Sequence, residues 1–267
     1  MSSPVVPNLA SASSFSMPIL KYLVPSLAAL LTSQNLPGDI SPVPPDTRQL
    51  LVVRTGNWDE IHGVIQRFER TGPSAPWNAV SSREPIVVGR TGLAWGRGLH
   101  GDSAIGAGPV KQEGDGKSPA GVFTLSEVFG YAPGDSMTEL RMPYIQATEA
   151  LKCVDDPADD AYNTLVNAPA SGSPTWQSAE DMRRHDEAYR LGIFVDHNAG
   201  SGRKPGGGSC IFLHVWSGAD SPTVGCTAMP LTRVVELAGW LDAAAHPVLV
   251  QLPDEAYTRL KPAWHLP

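Results

Sequence analysis

The spacing of apolar residues from Arg48 onward constrains the fold more than any other feature of the sequence. These residues recur with a period of two in short runs, and clusters of glycine and proline separate the runs. The 26 glycines and 25 prolines disfavour long helices and are typical of turns between strands. The pattern therefore predicts a mainly β domain with a few helices, an α+β fold, over residues 48–267.

Several segments within this domain have the composition of individual elements. Strands are predicted at 48–55, 120–125, 189–198, 209–216 and 246–253, together with a buried strand in 84–96 that turns at Gly92. Amphipathic helices are predicted at 58–70 and 231–245, where apolar residues share one stripe. The stretch 147–177 has little periodicity and is predicted to be a long loop of the kind that covers or lines a binding site.

The first 47 residues have a different composition from the rest. The apolar run 22–31 follows Lys21 and resembles the hydrophobic region of a signal peptide. It is too short to span a bilayer, and Pro25 interrupts it. The proline-rich stretch 36–47 is typical of a linker. The expectation is a signal-like or disordered segment over 1–47 on a protein that is secreted or resides in the periplasm or cell envelope.

Charge and cysteine content exclude several classes of partner. The net charge of −7 argues against nucleic acid and against an anionic membrane surface, and no membrane-spanning segment is expected. Cys153, Cys210 and Cys226 are too few and too scattered for a disulfide framework or for a zinc site with paired spacing. In an exported protein, two of the three can pair and one remains a thiol.

Two motifs that suggest a ligand fail on their spacing. The run 114–118, GDGKS, lacks the first glycine of a phosphate-binding loop because Lys111 stands there, so a turn between strands is expected. The acidic run 155–160, DDPADD, lacks the spacing of a calcium loop and is predicted to be a solvated loop. Neither a cofactor nor a metal is expected.

The segment 211–226, IFLHVWSGADSPTVGC, combines a histidine and a cysteine in a way that suits catalysis. Strand alternation places His214 on one face with Phe212 and Trp216, opposite Ile211, Leu213 and Val215. A turn then leads to Gly225 and Cys226. Glycine lets the backbone bend, so that the N–H groups of Gly225 and Cys226 face a developing oxyanion while an imidazole takes the thiol proton.

The residue types alone leave other interpretations open. A free cysteine is often buried and a strand histidine is often a hydrogen-bonded core residue, so spacing alone favours a structural role over catalysis. A metal site made of His197, His214 and Cys226 is a third interpretation, although no closely spaced ligand pair supports it.

A family resemblance shifts this balance towards catalysis. The stretches GSCIFLHVW and TVGCTAMP resemble the active-site signature of the L,D-transpeptidase catalytic domain, the YkuD-like family, in which His, Ser or Thr, and Gly-Cys follow in this order. Here they are His214, Thr223, Gly225 and Cys226. The stretch 110–125, VKQEGDGKSPAGVFTL, is similar to a second recurrent segment of that family. The similarity spans roughly 50–252, nearly the whole predicted domain.

The resemblance implies a YkuD-like β-sandwich or barrel catalytic domain. It implies that Cys226 attacks the carbonyl of the third residue, a diamino acid, in a peptidoglycan stem tetrapeptide, with His214 as base and Gly225 and Thr223 in support. The terminal D-Ala leaves, and an amine of a second stem resolves the acyl-enzyme. An L,D-carboxypeptidase and a catalytically degenerate peptidoglycan-binding module remain as alternatives.

Three departures indicate a divergent branch of that family. Val224 stands where better-known members have a histidine, Ala228 replaces an arginine associated with a substrate carboxylate, and the interval from His214 to Cys226 is shorter. Other residues are then expected to bind substrate: Arg203 or Arg233, Ser209 and Asn198. His185 and His197 are reserve bases. If Cys226 acts as a thiolate, Cys153 and Cys210 are the pair left for a disulfide. The oligomeric state is unknown.

Overall fold

The computed structural model describes residues 41–101 and 106–267, and this part of the chain is mainly β with two helices, as predicted. Its helices are α1 (Leu231–Trp240) and α2 (Asp254–Trp264). Its strands, in chain order, are β1 (Gln49–Thr55), β2 (His62–Glu69), β3 (Asn78–Ala79), β4 (Glu84–Val87), β5 (Leu93–Trp95), β6 (Ser118–Gly130), β7 (Tyr144–Gln146), β8 (Leu151–Val154), β9 (Leu165–Asn167), β10 (Ala179–Asp181), β11 (Leu191–Val195), β12 (Phe212–Val215), β13 (Thr227–Met229) and β14 (Val248–Pro253).

Eight of these strands form a closed sheet. Their order is β1, β14, β6, β11, β12, β13, β4 and β2, and β2 pairs back with β1. The β1–β14 and β12–β13 pairs are parallel, whereas the other neighbours in the ring are antiparallel. Closure gives every one of the eight strands a partner on both sides, so none of them presents an unpaired edge.

The main hydrophobic core takes residues from both faces of this closed sheet, since neighbouring residues of one strand belong to it. It contains residues from β1, β6, β14 and both helices, including Leu50, Val122, Phe123, Leu249 and Trp264. Helix α1 packs on β11 and β12, and α2 packs on β14 and β1. The helix predicted at 231–245 is therefore present as α1, although it ends at Trp240. No described helix is long and apolar enough to cross a membrane.

The five predicted strands are all present, as β1, β6, β11, β12 and β14. The run 84–96 contains two strands, β4 and β5, and the chain turns before β5 at Gly92, whose φ is +84°. This left-handed backbone conformation suits glycine because it has no Cβ.

The helix predicted at 58–70 is wrong, because most of this segment is the strand β2. Val64, Ile65 and Phe68 fit a helical stripe, but they also fit a strand whose backbone pairs with β1 on one side and β4 on the other. Gly63 permits this close pairing, since a Cβ there would lie 2.5 Å from the carbonyl oxygen of Arg54. Long-range backbone pairing thus overrides the local periodicity.

The stretch 147–177 is not simply a loop. It contains β8 and β9, which form a three-stranded antiparallel sheet with β10, in the order β10, β8, β9. These strands have three or four residues each, too few for a period of two to emerge from the sequence. Helix α2 was not predicted either, since Pro253 and Pro262 obscure the stripe of Tyr257, Leu260 and Trp264.

Part of the predicted linker belongs to the folded domain. Val43 is buried in the core, and the guanidinium of Arg70 donates to the carbonyl oxygens of Pro44, Pro45 and Thr47 at 2.9, 3.1 and 2.7 Å. Residues 43–47 thus pack against the domain predicted to begin at residue 48, and these contacts satisfy backbone carbonyl groups that lie outside any strand. The signal-like run 22–31 lies outside the described residues.

The disulfide predicted between Cys153 and Cys210 is present, and Cys226 is a free, buried thiol. The bond ties β8 of the small sheet to the residue two before β12. A second hydrophobic cluster lies between the small and the closed sheets, and it includes Phe129, Leu151, Met182, Tyr189, Phe212 and Cys226. The disulfide thus holds the small sheet over the face on which Cys226 lies.

A candidate active site around Cys226 and His214

Backbone pairing brings Cys226 and His214 to one face of two neighbouring strands. In the parallel β12–β13 pair, His214 is opposite Ala228, and Cys226 is two residues before Ala228. Because side chains two residues apart share a face, Cys226 and His214 are diagonal neighbours. The N–H of Phe212 lies 3.3 Å from the Cys226 sulfur, as this register requires.

The predicted alternation along β12 is confirmed by the packing on its two faces. Ile211, Leu213 and Val215 lie in the main core, whereas Phe212 lies in the second cluster with Cys226. His214 contacts Tyr189 of that second cluster. The face carrying the histidine and the cysteine is therefore the one covered by the small sheet.

His214 is held as a neutral base. Its Nδ1 lies 2.8 Å from the carbonyl oxygen of Val215, and a carbonyl oxygen can only accept a hydrogen bond. Nδ1 must therefore carry the proton, which leaves the lone pair of the neutral ring on Nε2. Burial lowers the pKa of His214 to about 4, so the ring is neutral near pH 7.

Cys226 is held as a neutral thiol. Its side chain lies in the second cluster, and its sulfur donates to the carbonyl oxygen of Cys210 at 3.5 Å. Burial, and then the carboxylate of Glu180, raise the pKa of Cys226 well above its ordinary value, while the N–H of Phe212 opposes them. Within 41–101 and 106–267, no hydrogen bond joins this thiol to His214. In this conformation the proton therefore remains on the sulfur.

Thr223 and Gly225 brace the turn before Cys226. The Thr223 hydroxyl donates to the carbonyl oxygen of Cys226 at 2.6 Å and accepts the N–H of Gly225 at 3.1 Å. Ser118, at the start of β6, donates to the same Cys226 carbonyl at 2.7 Å. The N–H of Gly225 is thus already bonded, and it is not free for the oxyanion role expected from the sequence. The main-chain donor next to the sulfur is that of Phe212, which sequence reasoning missed.

Ser209 and Asn198 support the loop before β12. The Ser209 hydroxyl donates to Glu113 at 2.7 Å, and the Asn198 amide donates to the carbonyl oxygens of Lys204 and Gly208 at 2.9 Å each. Asn198 also lines a cavity of about 640 Å³, whose lining does not include Cys226. Their polar groups are therefore engaged with the protein itself in this conformation.

The two candidate arginines lie in ion pairs or loop contacts rather than beside the thiol. Arg233 forms ion pairs with Glu84 and Glu236 at 2.6 and 2.7 Å. Arg203 donates to the carbonyl oxygen of Asp160. The structure instead brings Arg184 towards the site, with its guanidinium 5.0 Å from the ring centre of Tyr189.

Arg184 is fixed by a two-point contact with a carboxylate. Its Nε and Nη2 donate to the two oxygens of Asp186 at 2.9 and 2.7 Å. Its positive charge lowers the pKa of His214 and that of Cys226, although burial dominates both shifts. No motif in the sequence distinguishes Arg184 from its neighbour Arg183, so sequence reasoning did not find it.

The reserve histidines are not suited to replace His214. His197 is buried, its Nδ1 accepts the N–H of Arg97 at 3.2 Å, and its Nε2 therefore donates to the carbonyl oxygen of Gly207 at 3.0 Å. Both nitrogens are thus engaged, and burial lowers its pKa to about 3. His185 is exposed. Among the described residues, no group of three or more His, Cys, Asp or Glu side chains is arranged to hold a metal.

We expect the protein to lose stability in acid because two of its histidines are buried in the neutral form. The pKa values of about 4 for His214 and about 3 for His197 lie below the unfolded value, about 6.5, so the unfolded chain binds protons first as pH falls. Their stabilising contribution is present above pH 6.5 and is lost towards pH 4. We expect the free energy of unfolding to fall by about 4 kcal/mol between pH 7 and pH 5, measured by urea denaturation.

The variant His214→Gln isolates this effect. In this variant the free energy of unfolding should depend about half as steeply on pH as in the wild type. Carboxyl groups such as Glu180, whose pKa burial raises, act in the opposite direction and are common to both proteins. An unchanged slope in His214→Gln would contradict the neutral, buried state of His214.

Comparisons of the chain with protein-family models, with curated proteins and with solved structures found no match.

Proposed function

We propose that the protein is a cysteine-dependent L,D-transpeptidase of the YkuD-like type, acting on peptidoglycan stem peptides outside the cytoplasm. Cys226 is the nucleophile and His214 the base. The disulfide between Cys153 and Cys210 supports export, because such bonds persist in oxidising compartments.

One observation carries this proposal above the others. His214 lies on β12, and Cys226 immediately precedes the neighbouring strand β13, so that the two side chains share a face. The lone pair of the His214 ring is on Nε2. The tautomer is set by the carbonyl of Val215, so no buried carboxylate is needed to orient the ring. This arrangement supplies a nucleophile, a base and an orienting group, as covalent acyl transfer requires.

The reaction proceeds in two halves that balance protons and bonds. The Cys226 sulfur attacks the carbonyl carbon of the third stem residue while its proton passes to Nε2 of His214. The bond to the terminal D-Ala breaks, and its amine nitrogen takes that proton. An amine of a second stem then attacks the thioester, gives its proton to His214, and releases the sulfur, which is reprotonated.

Access to the thiol requires movement of the chain above it. Cys226 is 4% exposed, and Met182 and Tyr189 are buried in the same cluster. Cys153 of the small sheet is fixed by its disulfide to Cys210, so the displacement that admits a peptide falls on 182–187, before Tyr189. This segment belongs to the connection from β10 to β11.

Removal of the base should slow acylation strongly. We expect His214→Ala to acylate with a stem tetrapeptide roughly 100-fold more slowly, since general-base catalysis contributes at least this much. The rate is measured by intact mass at successive times. His185→Ala is the control and should acylate at the wild-type rate. Wild-type acylation in His214→Ala would show that another group is the base.

Product analysis distinguishes the candidate reactions. The protein is incubated with a stem tetrapeptide carrying diaminopimelate and with one carrying lysine, with and without an acceptor amine. A transpeptidase releases D-Ala and forms a cross-linked dimer, whereas an L,D-carboxypeptidase releases D-Ala and leaves a tripeptide. Release of neither product, under conditions in which the peptide binds, would contradict both.

The second candidate is a catalytically degenerate peptidoglycan-binding module. The burial of Cys226 and its raised pKa favour this alternative, because a reactive thiol is ordinarily exposed and acidic. Such a module would sediment with insoluble peptidoglycan and would do so equally well as Cys226→Ala. It would leave stem tetrapeptides unchanged over any incubation time.

A further inference from the structure

Tyr189 is a buried phenol that contacts the proposed base directly. Its ring centre lies 5.4 Å from that of His214, with 75° between the ring planes. It also packs edge-on against Phe212 at 5.4 Å and Phe129 at 5.7 Å. The hydrogen bond from His214 Nδ1 to Val215 holds the imidazole at one atom, and the ring of Tyr189 restricts rotation of its plane.

Glu180 fixes the orientation of Tyr189. The phenol donates to Glu180 Oε2 at 2.5 Å, a charge-assisted hydrogen bond if the carboxyl is ionised. Glu180 lies in β10, opposite Cys153 of β8, and Cys153 is joined by the disulfide to Cys210. The anchor of the phenol is therefore itself tied covalently to the segment that precedes β12.

A purely structural role does not explain a carboxyl group in this place. Glu180 is partly buried, and burying a carboxyl group costs free energy that an apolar side chain would not. Its charge also opposes ionisation of Cys226. The carboxyl group supplies a fixed acceptor for the Tyr189 hydroxyl, which keeps the Tyr189 ring in place beside His214.

We infer that Tyr189, anchored by Glu180, is a positioning residue that holds the His214 imidazole with Nε2 directed to the reacting thiol. The expected effect of Tyr189 on the acylation rate rests on the proposed function, whereas its expected effect on the tautomer of His214 does not. Without the Tyr189 ring in this position, the imidazole can turn away from the Val215 carbonyl. The ring proton is then on Nδ1 in some molecules and on Nε2 in others. The fraction of molecules with a lone pair ready on Nε2 then falls.

The test measures the tautomer of the His214 ring and the acylation rate separately in four full-length variants. Nitrogen-15 shifts of His214 report which nitrogen carries the proton, and acylation by a stem tetrapeptide gives kcat and KM. Tyr189→Leu should show a mixture of tautomers and about tenfold lower kcat with unchanged KM, since the base is present but misdirected. Tyr189→Phe keeps the ring but loses its hydrogen bond to Glu180, so it should behave like Glu180→Ala.

Two variants separate positioning from stability. Glu180→Gln keeps an acceptor for the phenol and should retain the single tautomer, whereas Glu180→Ala should resemble Tyr189→Leu. If Tyr189→Leu does not fold, Glu180→Ala carries the same test. A single Nδ1–H tautomer and wild-type kcat in folded Tyr189→Leu or Glu180→Ala would overturn the inference. If the wild-type protein does not acylate, the proposed function fails, and the tautomer measurement alone decides on Tyr189.

Discussion

Cys226→Ser is expected to bind a stem tetrapeptide with nearly wild-type affinity and to lose at least about 1000-fold in D-Ala release. A serine hydroxyl fills the same space in the cluster, so ground-state contacts remain. Its proton is far harder to remove than that of a thiol, and among the described residues no carboxylate is hydrogen-bonded to His214, whose Nδ1 faces the Val215 carbonyl.

The measurement pairs calorimetric binding with a D-Ala assay. Cys226→Ala serves as the matched control and should behave like the serine variant, because neither side chain forms a thioester. Wild-type turnover in Cys226→Ser would exclude the thiol as nucleophile. Loss of binding together with turnover would instead show that the substitution disturbs the cluster.

Removing the disulfide should cause the largest loss of stability. We expect the double variant Cys153→Ser and Cys210→Ser to lose about 4 kcal/mol in free energy of unfolding, because the bond closes a loop across a sequence separation of 57 residues. The loss is measured by urea denaturation. Wild-type protein treated with a reductant should match the double variant.

The same variant also tests how the small sheet covers Cys226. Without the covalent tie, β8 should separate more often from the loop before β12, and Cys226 should react faster with a small alkylating reagent. Alkylation at the wild-type rate, with no loss of stability, would contradict the role given to the disulfide.

Sequence periodicity predicted the strands whose residues alternate between two environments. β12 is the clearest case, because Leu213 and Val215 face the main core while Phe212 and His214 face the second cluster. The register of β12 and β13, which places Cys226 on the same face as His214, was not predicted from the sequence. The disulfide followed from the assignment of Cys226 as the free thiol.

Other features depend on contacts between distant segments that a sequence pattern does not carry. β2 has a helical stripe, yet its partners β1 and β4 decide its conformation. The short strands of the small sheet have too few residues for a period. The bond from Tyr189 to Glu180 and the contact of Tyr189 with His214 join segments whose proximity only the folded chain reveals.

Peptide mapping of the trapped intermediate tests directly whether Cys226 carries the acyl group. The protein is mixed with a stem tetrapeptide, quenched in acid to preserve the thioester, and digested without reduction. We expect a mass increase equal to that of the tetrapeptide less free D-Ala, on the peptide containing Cys226, with Cys153 and Cys210 still joined. An adduct on any other residue, or an unmodified Cys226 while D-Ala is released, would show that Cys226 is not the nucleophile.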